Sequence, residues 1–374
     1  MDSAEHLYVH VPFCSRRCSY CDFAIAVRRD VPVQEYLGAL AAELELRLAV
    51  PRNGAFKTVY LGGGTPSKLG FEGVTALLGM LRSAAGFGLE ADAEITIEAN
   101  PEDVSGESVR AWMAAGVNRL SLGAQSFDNR VLEWMHRTHN GQDVGHAVST
   151  ARENGLADIS LDLIFALPSD LERDWGADLR QALDLRVEHV SLYGLTVEPR
   201  SPLGRWTARG EVSEAPEERY AEEFLQAHET LGGAGFEHYE VSNFARSGRR
   251  SRHNSSYWRR VPYLGLGPSA HSYDGAARRW NAREYRDWLT RVTGGHDPVE
   301  GTEILSSANE LSERVYLGLR TMEGLAVADT DAATVEIWVR AGWARQSAGR
   351  VVLTAEGWLR LDGLAAALTA IRSR

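Results

Sequence analysis

Cysteine is nearly missing from this chain: three occur in 374 residues. An odd number so small excludes a disulfide framework as the source of stability. Long apolar runs are missing as well, since no segment approaches the roughly 18 residues that a membrane-spanning helix needs. There is no strict repeat and no low-complexity tract. The opening Met1-Asp-Ser-Ala-Glu-His6 lacks the basic-then-apolar layout of a signal peptide. These absences set the expectation of a cytoplasmic protein. Positive charge is in deficit, with 40 Lys and Arg against 51 Asp and Glu and a formal net charge of −11. That balance disfavours nonspecific binding to nucleic acid, so no nucleic-acid partner is expected. What is present is ordinary for a globular chain: 44% apolar and 24% charged residues, and a length that suits one large domain and a smaller one.

The few cysteines are not scattered. Cys14, Cys18 and Cys21 fall within eight positions, in a C-x3-C-x2-C spacing. Three thiolates on one short loop can hold three irons of a cubane iron–sulfur cluster and leave the fourth without a protein ligand. Clusters that only transfer electrons take four cysteines, and structural zinc takes four closed ligands. A trio with no fourth cysteine therefore points to an open metal position and to chemistry on a bound molecule. Two readings stay open beside it: a zinc site completed by His10 or Asp22, and a trio of small apolar side chains. Arg16 and Arg17 lie between the thiols, where positive charge would lower thiol pKa values.

From residue 7 to about 200, short β-branched runs alternate with amphipathic stretches. The predicted strands are Leu7–Phe13, Thr58–Leu61, Glu94–Ala99, Arg119–Gly123, Ile159–Phe165 and His189–Leu195. The predicted helices are Val33–Ala49, Glu72–Ala85, Gly106–Ala115, Asp143–Glu153 and Trp175–Leu185. Such alternation implies a parallel sheet with right-handed crossovers, and it suits a closed barrel, an incomplete barrel or a doubly wound sheet alike. Pro216–Gly235 reads as a further helix. A glycine- and arginine-rich region follows, from Asn243 to about Gly275, and then a tail of helices with a hairpin over Ala344–Leu353. The expected organisation is 1–235 as the core, 236–298 as a linking region and 299–374 as a small, mainly helical, winged-helix-like domain.

Polar residues punctuate the apolar strands. Leu61-Gly-Gly-Gly-Thr-Pro-Ser67 follows a strand and precedes a helix, where free N–H groups suit a carboxylate or phosphate. It is neither a P-loop nor a dinucleotide fingerprint. Glu98 and Gln125 end two successive strands, and Asp162 sits within the next. Polar groups are costly to bury alone, so three on neighbouring strands of a barrel mouth would converge on one cavity. Arg137 lies a turn beyond the fourth strand and could meet a carboxylate. His136 and His139 have no carboxylate or cysteine organised around them and read as surface or packing residues.

The cysteine loop, with Tyr20 just before Cys21, resembles the radical S-adenosylmethionine (SAM) superfamily. Its open iron holds the amino and carboxylate groups of SAM, and the fold it implies is α/β, an incomplete (β/α)6 barrel with its site at the carboxyl ends of the strands. Tyr8-Val-His-Val-Pro-Phe-Cys14, the Gly-Gly-Gly-Thr-Pro66 loop, Ile-Glu-Ala-Asn-Pro101, Leu-Gly-Ala-Gln-Ser-Phe127 and Asp162-Leu-Ile-Phe-Ala-Leu-Pro168 resemble the coproporphyrinogen dehydrogenase-like branch. That resemblance places SAM contacts on Tyr8, Tyr20, Gly63, Gly64, Thr65, Glu98, Gln125, Arg137, Asp162, Thr196 and His271, and the [4Fe–4S] cluster on Cys14, Cys18 and Cys21.

Within the branch two activities diverge. The dehydrogenase decarboxylates coproporphyrinogen III oxidatively, carries a fourth cysteine two residues past the third, and has a long N-terminal extension. Here the position is Phe23, and thirteen residues precede Cys14. The stretch Arg252-His253-Asn-Ser-Ser-Tyr257-Trp258, H-N-x-x-Y-W, resembles instead the haem chaperones of the branch. The resemblance implies haem contact at His253, Tyr257 and Trp258, with His253 as a haem-iron ligand. Arginines 246, 249, 250, 252, 259 and 260 crowd the same stretch and could pair with haem propionates. The implied function is haem binding and transfer to an acceptor protein. A cluster-reducing electron donor and a homodimer are further expectations, and coproporphyrinogen dehydrogenase is the alternative activity.

Overall fold

The computed structural model describes residues 4–48 and 54–373. Its centre is one twelve-stranded sheet. Six of the strands run parallel and in chain order: β1 (His6–Val11), β2 (Phe56–Gly63), β3 (Leu89–Ala99), β4 (Arg119–Gln125), β5 (Ile159–Phe165) and β6 (His189–Gly194). Consecutive order excludes the doubly wound alternative, in which the order reverses at a switch point. The ring is also not closed. β1 pairs on its far side with Tyr263–Leu266, and β6 pairs with Asn243–Ala245. The architecture is an α/β open barrel of six parallel strands, as expected.

Crossovers between these strands are made by α1 (Val33–Leu48), α2 (Gly70–Ser83), α3 (Gly106–Ala114), α4 (Gly141–Glu153) and α5 (Trp175–Asp184). Ala49, the last residue of the first predicted helix, lies outside the described residues. Local chemistry sets their starts. Ser105 caps α3 by accepting from the Ser108 N–H at 3.1 Å, and Asn140 caps α4 by accepting from Gln142 N–H at 2.8 Å. The strands are apolar on both faces, as a sheet covered by helices requires. In β5 every residue except Asp162 is buried. The main core holds Tyr36, Phe56, Leu61, Trp112 and Trp288 fully buried, and a smaller apolar cluster is built from Val131, Met135, Ile164 and Leu167.

The sheet extends further than the sequence suggested. Residues 236–298 supply the antiparallel pair Glu237–Glu240 and Asn243–Ala245 at one edge. On the other side Tyr263–Leu266, His271–Tyr273, Ala277–Asn281 and Val299–Ile304 continue the sheet away from β1. Between them Arg252–Trp258 forms a short helix capped by Ser251. The tail packs Ser307–Arg320 against Leu361–Arg372 beside a three-stranded sheet whose hairpin is Ala344–Ser347 with Arg350–Leu353. The Trp358 indole N–H donates to Leu319 O at 3.0 Å, which ties these elements together. Among the described residues no helix is long and apolar enough to cross a membrane.

Candidate functional site

The carboxyl ends of β1 to β6 surround a cavity of about 330 Å³. Cys14, Cys18 and Cys21 line one side of it, all three with free, partly exposed thiols. Tyr20, Gly63, Gly64, Thr65, Glu98, Gln125, Arg137, Asp162 and Thr196 line the rest. The parallel sheet accounts for the convergence. Gly63 ends β2, Glu98 is next to last in β3, Gln125 ends β4 and Asp162 stands mid-way along β5, in register with Ser191 of β6 and opposite the β4 irregularity between Leu122 and Gln125.

Glycines in the β2 loop serve packing as much as access. A methyl on Gly64 would lie 2.7 Å from the Pro12 carbonyl, so its absence lets the cysteine loop rest against the β2 loop. Gly63 has φ of +112° and a methyl there would meet His10 at 2.6 Å. Gln125 adopts φ of +67° without being glycine, a strained conformation at the strand end.

Two carboxyls sit deep in this wall. Glu98 accepts from Tyr60 O–H at 2.8 Å and from Gly63 N–H at 3.1 Å. Burial, reinforced by nearby Asp162, pushes its pKa from 4.5 up to about 7. Asp162 accepts from the Ser121 hydroxyl at 3.0 Å, and burial pushes it from 3.8 up to about 6. Two carboxyls poised near neutrality in one cavity suit a cationic ligand, which would restore the ionised forms. Arg137 crosses from the other side. Its Nη2 donates to Asn100 Oδ1 at 2.6 Å and Gly123 O at 2.9 Å, and its Nη1 to Cys18 Sγ at 3.6 Å. Its Nε is buried without a partner.

The thiols differ from expectation in one respect. Burial pushes Cys14 up to about 11 despite the Thr65 hydroxyl 3.4 Å away, and burial raises Cys21 although Arg17 opposes it. For Cys14 and Cys21 desolvation therefore outweighs the neighbouring arginines, and a metal held there would supply the charge that favours their thiolates. The zinc alternative does not fit. Among the described residues no three His, Cys, Asp or Glu side chains converge on a single-ion position. Both nitrogens of His10 are taken, by Tyr8 O–H at 3.1 Å and Ala24 O at 2.9 Å, and Asp22 pairs with Arg283.

Residues 8–182 match the Radical SAM superfamily. The chain is 38% identical over 364 residues to "Heme chaperone HemW" of Mycobacterium tuberculosis (strain H37Rv), covering 96% of this chain and 93% of that one. It is 35% identical over 319 residues to HemW of Bacillus subtilis (strain 168), covering 85% and 84%. This chain belongs to the HemW family of the radical SAM superfamily. The solved structure of coproporphyrinogen III oxidase (HemN) from Escherichia coli superposes with a TM-score of 0.79 over 96% of this chain and 88% of that one, at 23% identity, a likeness of fold.

Membership of the radical SAM superfamily implies a [4Fe–4S] cluster and SAM, and the site fits both. Three thiols on one wall without a fourth match a cubane with one open corner. The Arg137 guanidinium beside Cys18 would offset the charge of a cluster held there, and the paired carboxyls opposite would suit an ammonium or sulfonium.

Not every expected residue reaches this cavity. Tyr8 stands one layer behind it, stacked 6.2 Å from Tyr60, and His271 stacks on Trp280 at 6.0 Å. Residues that the sequence reading missed do reach it: Asn100, Glu102, Ser121, Thr138 and Tyr193. Ser121 stands opposite Ser160 in the sheet and reaches Asp162 diagonally through its hydroxyl, a contact that strand alternation alone does not reveal. Tyr193 carried no signal beyond its place near the end of β6.

The residues expected to meet haem have other partners in this structure. His253 is 1% exposed. Its Nδ1 bonds Thr58 Oγ1 at 2.6 Å and its Nε2 bonds Tyr257 O–H at 2.7 Å, while its ring stacks 5.0 Å from Tyr60. No nitrogen is left for iron. Trp258 is covered by the Arg320 guanidinium at 4.2 Å. The nearby arginines are committed too: Arg249 to Asp158, Arg250 to Glu237, Arg252 to Asp92, Arg259 to Glu323 and Arg260 to Glu313, with Arg246 lying on Phe236. In this fold the H-N-x-x-Y-W segment is a packed strut behind β1 and β2.

Proposed function

We propose that this chain is a haem chaperone: it carries a [4Fe–4S] cluster on Cys14, Cys18 and Cys21, seats SAM in the adjoining cavity, binds haem and delivers it to an acceptor protein. The observation that carries this reading is that the chain has no fourth cysteine to add to the three at the cavity, with Phe23 in the place where the dehydrogenase has cysteine. Relatives that span nearly the whole chain are named heme chaperones, which supports the same choice.

In this reading Gly63, Gly64 and Thr65 line the path of the SAM methionine portion. Glu98 and Asp162 supply negative charge to its ammonium and sulfonium, and Arg137 and Gln125 face its carboxylate. A cluster with an open iron supplies one-electron reduction of a sulfonium when both are bound, and an external electron donor is required for it. Tyr8 and Tyr60 back the wall and keep Glu98 oriented through the Tyr60 hydroxyl. Ser121 holds Asp162 in the same way.

The test is a pair of assays on anaerobically reconstituted protein. Haem should bind at one equivalent with a defined Soret band. The reduced protein with SAM and coproporphyrinogen III should form no protoporphyrinogen. Turnover of coproporphyrinogen at a useful rate would replace this reading with the dehydrogenase.

A further inference from the structure

A second cavity, of about 670 Å³, opens on the other side of the cysteine loop and shares Phe23 and Ile25 with the first. Six of its lining residues are arginines: Arg17, Arg28, Arg200, Arg205, Arg283 and Arg286. Such a concentration of positive charge stands out on a chain of net charge −11. Against it the walls set only Asp22 and Glu284. Asp22 is taken by Arg283, which also donates to its carbonyl at 2.6 Å. Among the described residues no carboxylate pairs with Arg28, Arg200, Arg205 or Arg286. Where these guanidiniums bond at all they use one donor on a neighbouring backbone, Arg28 to Val27 O at 3.0 Å and Arg205 to Arg200 O at 3.2 Å. Each retains free N–H groups for an oxygen anion. The same cavity exposes apolar surface that a folded chain ordinarily hides, with Phe23 66% and Val27 44% exposed.

We infer that this cavity is the porphyrin seat, taking a flat apolar macrocycle against Phe23, Ile25 and Val27 with its two carboxylates on the arginines. The inference rests on the haem-chaperone reading and deepens it by placing the cargo beside the cluster, away from His253. Guanidinium forks match carboxylates bidentately. The walls contain no His, Cys or Met, so recognition falls on the ring and its acid groups, and the iron keeps no strong protein ligand here. A cargo held without strong ligation is one that can be handed on.

The experiment titrates full-length reconstituted protein with haem, with metal-free protoporphyrin IX, and with the dimethyl ester of protoporphyrin IX in detergent-matched buffer. Free porphyrin should bind within about threefold of haem, and the ester about tenfold or more weaker, because two partly exposed pairs contribute up to ~1 kcal/mol each. The charge-reversing pair Arg205→Glu with Arg286→Glu should weaken haem by about tenfold or more and keep the cluster spectrum and SAM binding. Arg249→Glu, in the H-N-x-x-Y-W region, should leave haem affinity unchanged. If the double variant does not fold, the ester comparison on the wild type decides alone. Equal binding of acid and ester overturns the seat, as does loss of haem only in His253→Ala; the chaperone reading then stands. Arginine variants that keep haem but slow cluster reduction by an acidic redox protein also overturn it and make the cavity a protein dock. No haem binding to wild type overturns both.

Discussion

Glu98 shows at the residue scale how the cavity stores an unfavourable arrangement for use. Its carboxyl is raised from 4.5 to about 7 by burial and by Asp162. A raised carboxyl contributes stability below its unfolded pKa and loses it as pH climbs through the folded value. The ligand-free protein therefore gives up stability from Glu98 between about pH 4.5 and 7. A cation in the cavity reverses this by favouring the ionised form. SAM binding should thus release protons below pH 7 and weaken as the solution becomes more acidic. Calorimetry in buffers of different ionisation enthalpy measures the released protons directly. Glu98→Gln should abolish most of that release and weaken SAM by about tenfold or more, the cost of losing a hydrogen bond to a charged group. The same variant should unfold at a higher temperature than wild type at pH 8 without ligand, because it buries no ionised carboxylate. Unchanged proton release in Glu98→Gln would show that the carboxyl does not face the ligand.

At the scale of elements, loops depend on the strands behind them. Gly63 combines φ of +112° with a methyl-to-His10 approach of 2.6 Å. Gly63→Ala should cost about 2–4 kcal/mol, read as lowered stability in urea unfolding together with poor cluster loading. His253 belongs to the same scale. Its neutral ring is held by burial well below the ordinary histidine pKa, so its contribution is full above about pH 6.5 and fades as pH falls. His253→Ala should destabilise the apo protein by about 2–4 kcal/mol through the lost Thr58 and Tyr257 bonds. Thermal unfolding of the variant against wild type checks this, and an unshifted transition would contradict the strut.

Legibility in the sequence followed the physics of these elements. Ile159–Phe165 was readable to the residue because five of its seven residues are large and apolar and the strand is buried on both faces, with Ser160 and Asp162 as its polar exceptions. Ala277–Asn281, with Arg278, Arg279 and Trp280 half-exposed on a sheet flank, has no such pattern. Arg252–Trp258 is too short to show helical periodicity, and only its Ser251 cap marks it. The cysteines and the polar strand ends were legible because each departs from its surroundings. That His253 bonds Thr58 was not, since the two are 195 positions apart and meet only once the sheet forms.

For the whole molecule, the parallel strands bring three thiols, two carboxyls and one guanidinium to a single mouth, and all of the chain's cysteines lie there. The central claim is that the polypeptide leaves one cluster iron open to SAM. Electron paramagnetic resonance of the anaerobically reconstituted, reduced protein tests it most directly. The account predicts four irons and four sulfides per chain, a reduced-cluster signal that shifts on adding SAM, and no cluster when Cys14, Cys18 and Cys21 all become alanine. A signal that SAM leaves unaltered, or a cluster that survives loss of the three thiols, would contradict it.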